Sequence, residues 1–131
     1  MTRALDYGTC AALLRGAPDL ERRFLGCGAQ ELSVPSVVRG ELLLAARRSA
    51  RPRDNARLVE AFLEPLATLP FDEACAEEYA SLREDLALRA DALGSHDVLT
   101  AATALGHRAT LVTVRPETYR ALARLRLEPW P

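Results

Sequence analysis

Apolar residues recur along this chain in two rhythms that alternate from one end to the other. Short apolar runs read as strands: Ala4-Leu5-Asp6, Glu31 to Pro35, Ala67 to Phe71, Ala109 to Thr113, and Leu125 to Leu127. Between them lie segments whose apolar positions return every three or four residues, the spacing of a helix with one buried face. These are Cys10 to Arg15, Pro18 to about Gly26, Ser36 to about Arg48, a helix from the polar connection Ser49–Asp54 to about Glu64, Glu73 to Arg89, Asp97 to Leu105, and a short one over Pro116 to Ala123. Thr9 and Asp72 are the expected N-caps of the helices that follow them, Pro18 suits a first turn, and Gly106 is a stop. Val37, Val38, Glu41, Leu42, Leu44 and Ala45 are the inward candidates of the third helix, and Ala76, Tyr79, Ala80 and Leu86 those of the fifth.

Strands that alternate with helices form a parallel sheet with helices on its faces. The predicted fold is therefore α/β, a three-layer α/β/α sandwich around a mostly parallel central sheet. With 131 residues, no repeat, no low-complexity segment and no long linker, one domain over residues 1–131 is expected.

Composition narrows the class. No apolar run approaches the roughly 18 residues that cross a bilayer, and Met1 to Asp6 lacks the apolar stretch of a signal peptide, so the chain reads as cytoplasmic. Cys10, Cys27 and Cys75 are odd in number and widely spaced, which reads as three reduced thiols rather than a disulfide framework. The net charge of −1 does not announce a nucleic-acid binder, yet every cation is arginine, because the chain contains no lysine. It contains no isoleucine either, and both absences fit a GC-rich genome. The arginine clusters at 47, 48, 51, 53 and 57 and at 120, 124 and 126 read first as solvated helix faces and second as phosphate-binding patches.

Three acids fall where an open α/β sheet gathers its ligands, outside the carboxyl ends of the strands. Asp6 ends the first strand, Glu41 lies early in the helix after the second, and Asp97 starts the helix after the Gly94 turn. Carboxylates held together in partly buried surroundings resist ionising, and a divalent cation removes that penalty. Hard oxygen donors favour Mg²⁺ or Mn²⁺ over zinc, and such ions suit in-line displacement at phosphorus. Taken singly, each acid reads equally as a cap or a surface charge.

The order of the motifs sharpens the reading. Leu5-Asp6-Tyr7-Gly8-Thr9 followed by Leu13-Leu14-Arg15-Gly16, Ser33 to Leu43 around Glu41, Leu69-Pro70-Phe71-Asp72, Leu93-Gly94-Ser95-His96-Asp97 to Leu105, and Thr110 to Thr113 with Tyr119 and Leu125 to Trp130 together resemble the PIN-domain ribonucleases of the VapC-like toxin type. The likeness runs nearly end to end. It implies a PIN-like sandwich, usually a homodimer, that cleaves RNA with a divalent metal and is blocked by a small VapB-like antitoxin. Asp6, Glu41 and Asp97 carry over as metal ligands and catalytic acids.

Several positions depart from the family pattern. Tyr7 stands where a Thr or Ser is usual, Gly8 where Asn is usual, and Arg115 where an Asn or Asp commonly adds a polar group near the metals. Arginine does not ligate a cation. Arg115 is a candidate to hold an RNA phosphate, and Glu117 a candidate substitute for the lost acid. Tyr7 is a candidate to stack on a base or to fill the space left by smaller neighbours. His96 is a candidate to orient a phosphate or a water, against a structural role at the helix start. His107 complements the end of its helix, Trp130 anchors the tail, and Gly26-Cys27-Gly28 lacks the remaining elements of a nucleotide loop. The alternative reading is a PIN-fold binding module with a weakened metal site. A phospho-acceptor receiver domain, which normally depends on a lysine, does not fit a lysine-free chain.

Overall fold

The structure is a computed structural model, described here for residues 2–87 and 93–131. Five strands occur: β1 (Arg3–Leu5), β2 (Leu32–Pro35), β3 (Ala67–Leu69), β4 (Thr110–Thr113) and β5 (Leu127–Pro129). The helices are α1 (Tyr7–Leu14), α2 (Pro18–Leu25), α3 (Ser36–Arg47), α4 (Pro52–Leu63), α5 (Glu73–Ala87) and α6 (Ser95–Gly106), with 3₁₀ turns at Ala29–Glu31 and Pro116–Tyr119. The predicted end of the fifth helix at Arg89 lies outside the described residues.

The strands form one sheet in the order β3-β2-β1-β4-β5. Every pairing is parallel, with Arg3 beside both Leu32 and Thr110. The order runs outward in opposite directions from the β1–β4 pair, so a crevice opens beyond the carboxyl ends of these two strands.

Side chains alternate across the sheet, and the core divides accordingly. Leu5 and Val112 pack on one face with Cys10, Leu20, Val38, Leu42, Val59 and Leu63 from α1 to α4. Their neighbours Ala4 and Leu111 point to the other face, against Leu82 of α5, Val98, Ala101 and Ala102 of α6, and Tyr119. This is the three-layer arrangement, and it explains why β2 and β4 are buried along their whole length. The run Thr100 to Ala104 is buried throughout, and its small side chains let α6 sit close to its neighbours.

Several boundaries differ from the sequence reading for identifiable reasons. The first helix begins at Tyr7, and its N-cap is Asp6 rather than Thr9. The sixth starts two residues earlier than expected, placing His96 and Asp97 in its first turn. In α5 the buried stripe is Cys75 and Leu82 with Tyr79 and Leu86 at its edges, while Ala76 and Ala80 face outward. In α3 the stripe is Val38, Leu42 and Ala46; Leu44 and Ala45 are exposed. Arg47, Arg48, Arg51, Arg53 and Arg57 are all exposed, as are Arg120, Arg124 and Arg126. The last strand falls at Leu127–Pro129, two residues late, because Trp130 locks it in that register. The Trp130 backbone N–H donates to the Thr113 carbonyl at 2.9 Å, and its indole Nε1 donates to Glu128 Oε2 at 2.7 Å. Arg3 Nε donates to the same carboxylate at 3.0 Å, and the Arg23 guanidinium lies 5.4 Å from the Trp130 ring. No helix among the described residues is long and apolar enough to cross a membrane.

Candidate active site

The crevice beyond β1 and β4 is a cleft of about 490 Å³. Tyr7 comes from the first turn of α1, Glu41 from α3, Gly94, His96 and Asp97 from the start of α6, and Arg115 from the turn after β4. Four separate stretches of sequence therefore converge because the parallel topology delivers each of them to the same sheet end.

Asp6 lies beneath this cleft rather than on its rim, with only 2 % of its surface exposed. Its Oδ1 accepts the Thr9 backbone N–H at 2.9 Å and the Thr9 hydroxyl at 2.6 Å. Its Oδ2 accepts the Tyr119 hydroxyl at 3.2 Å. The carboxylate thus satisfies the free amide at the start of α1 and is fixed in direction by a phenol from the far end of the chain. A carboxylate offers about four lone-pair sites, so these three bonds leave Asp6 capacity for one further electrophile. Burial, reinforced by the charges of Asp6 and Asp97, pushes the Tyr119 phenol far up and keeps it a donor.

Glu41 is half-buried, and burial raises its carboxyl above the usual range. The neighbouring charges of Asp97 and Asp6 push in the same direction, while His96 pulls it back. His96 Nδ1 lies 3.0 Å from Glu41 Oε2 with its side chain 65 % exposed. The ring is clipped to the acid on one side and open to solvent on the other. Asp97 Oδ2 would stand 3.4 Å from a β-carbon at Gly94, so the turn passes close against this carboxylate.

The donor set, rather than its spacing, suits a divalent cation: among the described residues, Asp6, Glu41 and Asp97 do not bring one oxygen each within 4.8 Å of one another. Burial first, and then the charges of Asp97 and Asp6, make Glu41 resist ionising even though His96 offsets part of the effect. The donors are hard oxygens, with one imidazole at the side. Glu117 does not replace the missing acid: it is exposed on the 3₁₀ turn and does not line the cleft. Arg115 occupies that corner instead. A β-carbon at Gly8 would lie 3.8 Å from its Nε and 3.9 Å from the guanidinium Nη2, so residue 8 and the Arg115 guanidinium are direct neighbours.

Two contributors escaped the sequence reading. Thr9 was assigned to the cap, whereas it donates twice to Asp6; the Asp-x-x-Thr spacing carried that signal. Tyr119 was read only as an aromatic of the terminal pattern, and nothing local marks it as the partner of Asp6.

The PIN domain family profile matches residues 5–124. The chain belongs to the PIN-domain family. This PIN domain is 28 % identical over 132 residues to ribonuclease VapC2 of Rickettsia felis, covering 99 % of the chain and 98 % of the relative. It is 25 % identical over 126 residues to the tRNA(fMet)-specific endonuclease VapC of Salmonella typhimurium, covering 96 % of each. Among solved structures it resembles a chain of VapBC2 from Rickettsia felis bound to a DNA fragment from their promoter, with a TM-score of 0.93, 27 % identity and full coverage of both chains. DNA-bound VapBC from Salmonella typhimurium superposes with a TM-score of 0.94 at 24 % identity over 100 % of this chain and 99 % of the other, a likeness of fold. PIN-domain ribonucleases work with divalent metal ions, and in this PIN domain Glu41 and Asp97 line one cleft.

Proposed function

We propose that this chain is a VapC-type endoribonuclease, a toxin that hydrolyses RNA phosphodiester bonds with Mg²⁺ or Mn²⁺. The observation that carries the reading is the convergence of Glu41 and Asp97 on one cleft above the buried Asp6, in a member of the PIN family. Asp6, Glu41 and Asp97 hold the metal, with Thr9 and Tyr119 fixing the direction of Asp6. The bound ion supplies positive charge to the scissile phosphate and acidity to a water for in-line attack. Arg115, on the rim, holds a neighbouring RNA phosphate with its planar fork. Tyr7 offers a face on which an exposed base stacks. His96 holds Glu41 from the solvent side and turns its open edge toward the substrate.

The relatives that resemble this chain in solved structures are VapBC complexes, which supports a small VapB-like antitoxin as its partner. The toxin acts as one PIN domain over residues 1–131, as a homodimer in the cytoplasm.

The test is Mn²⁺ titration calorimetry on the purified, antitoxin-free chain and on Asp97→Asn, followed by RNA cleavage at saturating metal. Binding lost in the variant, with metal-dependent cleavage by the wild type alone, is the expected result. A folded wild type that neither binds metal nor cuts RNA would replace this reading with that of a partner-binding module.

A further inference from the structure

A second constellation lies at the opposite end of α6. Asp72 caps α5, accepting the Cys75 backbone N–H on Oδ1 at 3.1 Å. Cys75 is fully buried in the first turn of that helix. Gly106, the last residue of α6, approaches it so closely that a β-carbon there would meet Cys75 Sγ at 2.7 Å and its backbone N and Cα at 2.8 and 2.9 Å. Only glycine permits this approach, and it delivers the next residue, His107, to Asp72 and Cys75. One carboxylate oxygen, the sulfur and one ring nitrogen all lie within 4.8 Å of one another.

Backbone carbonyls accept from two of these groups. His107 Nε2–H donates to the Pro70 carbonyl at 2.7 Å and lies 3.8 Å from Asp72 Oδ2. The Cys75 thiol donates to the carbonyls of Pro70 at 3.6 Å and Thr103 at 3.8 Å, so an ion bound here exchanges these protons for itself. The side chains of Asp72 and His107 are 48 % and 21 % exposed, so the cluster opens to solvent on their side while the sulfur closes its floor.

We propose that Asp72, Cys75 and His107 bind a thiophilic divalent ion of the zinc class, with a water in the fourth position. Tetrahedral zinc with Zn–S near 2.3 Å and Zn–N or Zn–O near 2.0–2.2 Å sets its donors roughly 3.3–3.7 Å apart, so the three groups close by about 1 Å. Rotation of the partly exposed Asp72 carboxylate supplies most of that movement. A soft sulfur with imidazole and one carboxylate selects zinc or cobalt over the hard ions suited to the cleft. Asp97 in the first turn of α6 and His107 just past its end are ten residues apart, about 15 Å along the axis, so the ion is remote from the cleft. Its role is a staple. It ties the β3–α5 connection to the end of the helix that carries Asp97.

Cobalt distinguishes the two sites, because only this one offers a thiolate. The reduced full-length protein is titrated with Co²⁺, then with Zn²⁺, and its melting temperature is followed with Zn²⁺. One equivalent of Co²⁺ is expected to give a near-ultraviolet sulfur-to-cobalt band that Zn²⁺ displaces, and Zn²⁺ is expected to raise Tm. Band and Tm shift are expected to disappear in Cys75→Ser and His107→Gln. Affinity is expected to fall at least tenfold in Asp72→Asn, which keeps the helix cap. Both signals persist in Asp97→Asn and Cys27→Ser. Absence of the band in folded wild type overturns the proposal, as does its persistence in folded His107→Gln and Asp72→Asn or its loss in Cys27→Ser.

Discussion

Tyr119 donates its hydroxyl to Asp6 Oδ2 at 3.2 Å, a buried bond across a sequence separation of 113 residues. It fixes the direction of the carboxylate around which the cleft is built. Hydrogen bonds to a charged group contribute about 1.5–3 kcal/mol, so Tyr119→Phe is expected to lose stability of that order in urea unfolding. Partners that orient a metal ligand are typically worth 10–100-fold, and metal-dependent RNA cleavage is expected to fall by such a factor. Cleavage at the wild-type rate in this variant would show that Asp6 needs no such support.

Glu41 has the opposite sign of effect on stability. Its carboxyl is raised in the folded chain, chiefly by burial, so the folded state binds its proton more readily than the unfolded state does. The stability linked to this group is present at acid pH and is lost as pH rises through the raised value. Glu41→Gln is therefore expected to melt above wild type at pH 7 without divalent metal, with the difference vanishing below the ordinary carboxylate range. The same variant loses cleavage. A lower Tm at neutral pH would contradict the cost of burying the Glu41 carboxylate.

Arg115 stands on the rim of the cleft, and under the proposed function its charge serves the substrate rather than the metal. Arg115→Ala is expected to weaken RNA binding and raise KM while largely sparing kcat. Loss of one phosphate contact lowers the slope of log affinity against log salt by about 0.7 for a single strand. An unchanged slope would remove Arg115 from the RNA path.

Glu128 makes the fold sensitive to acid at the sheet edge. Its hydrogen bond from Trp130, with those from Arg3, holds the carboxyl below the usual range. A depressed value means stability present above the ordinary carboxylate pKa and lost as pH falls through the folded value. Acid titration followed by Trp130 fluorescence is expected to show release of the tail only below the ordinary carboxylate range, and Glu128→Gln is expected to lose that pH dependence. A fluorescence transition unchanged by the substitution would assign the acid step elsewhere.

Gly106 tests the contact between α5 and α6. A methyl group there has no free volume beside Cys75, and overpacking of this kind costs about 1–3 kcal/mol. Gly106→Ala is expected to lower the urea midpoint accordingly, even though alanine is the better helix former. A more stable variant would mean that the two helices part without cost.

The alternation of strand and helix was legible in the sequence because the central strands β2 and β4 are buried along their whole length and each helix is punctuated by Pro, Gly or a capping acid. Asp6 and Asp97 stand out in the sequence because one follows a strand and the other lies in the first turn of a helix, whereas Glu41, midway along α3, is marked only by the motif around it. What escaped was set by contacts between distant segments. Thr9 looked like a cap because the pattern does not reveal that Asp6 already closes the turn. The final strand was placed two residues early because its register depends on Trp130 docking against Thr113 and Glu128, not on the apolar run itself. In α5 the alanines at 76 and 80 passed for core, although the face that α6 covers is set by Cys75 and Leu82.

Asp6 both starts a helix and anchors the cleft, and this joint duty constrains how the enzyme can decay. Glu41 and Asp97 project from helices that are complete without them, so mutation can erase either acid and leave the molecule's shape standing. Erasing Asp6 also frays α1 and strands the Tyr119 hydroxyl; Asn, Ser or Thr would keep a capping oxygen, but none keeps the second carboxylate oxygen that accepts from the phenol. Lineages that silence this nuclease yet retain it as a decoy for its antitoxin will therefore carry their lesions at Glu41 or Asp97 before Asp6.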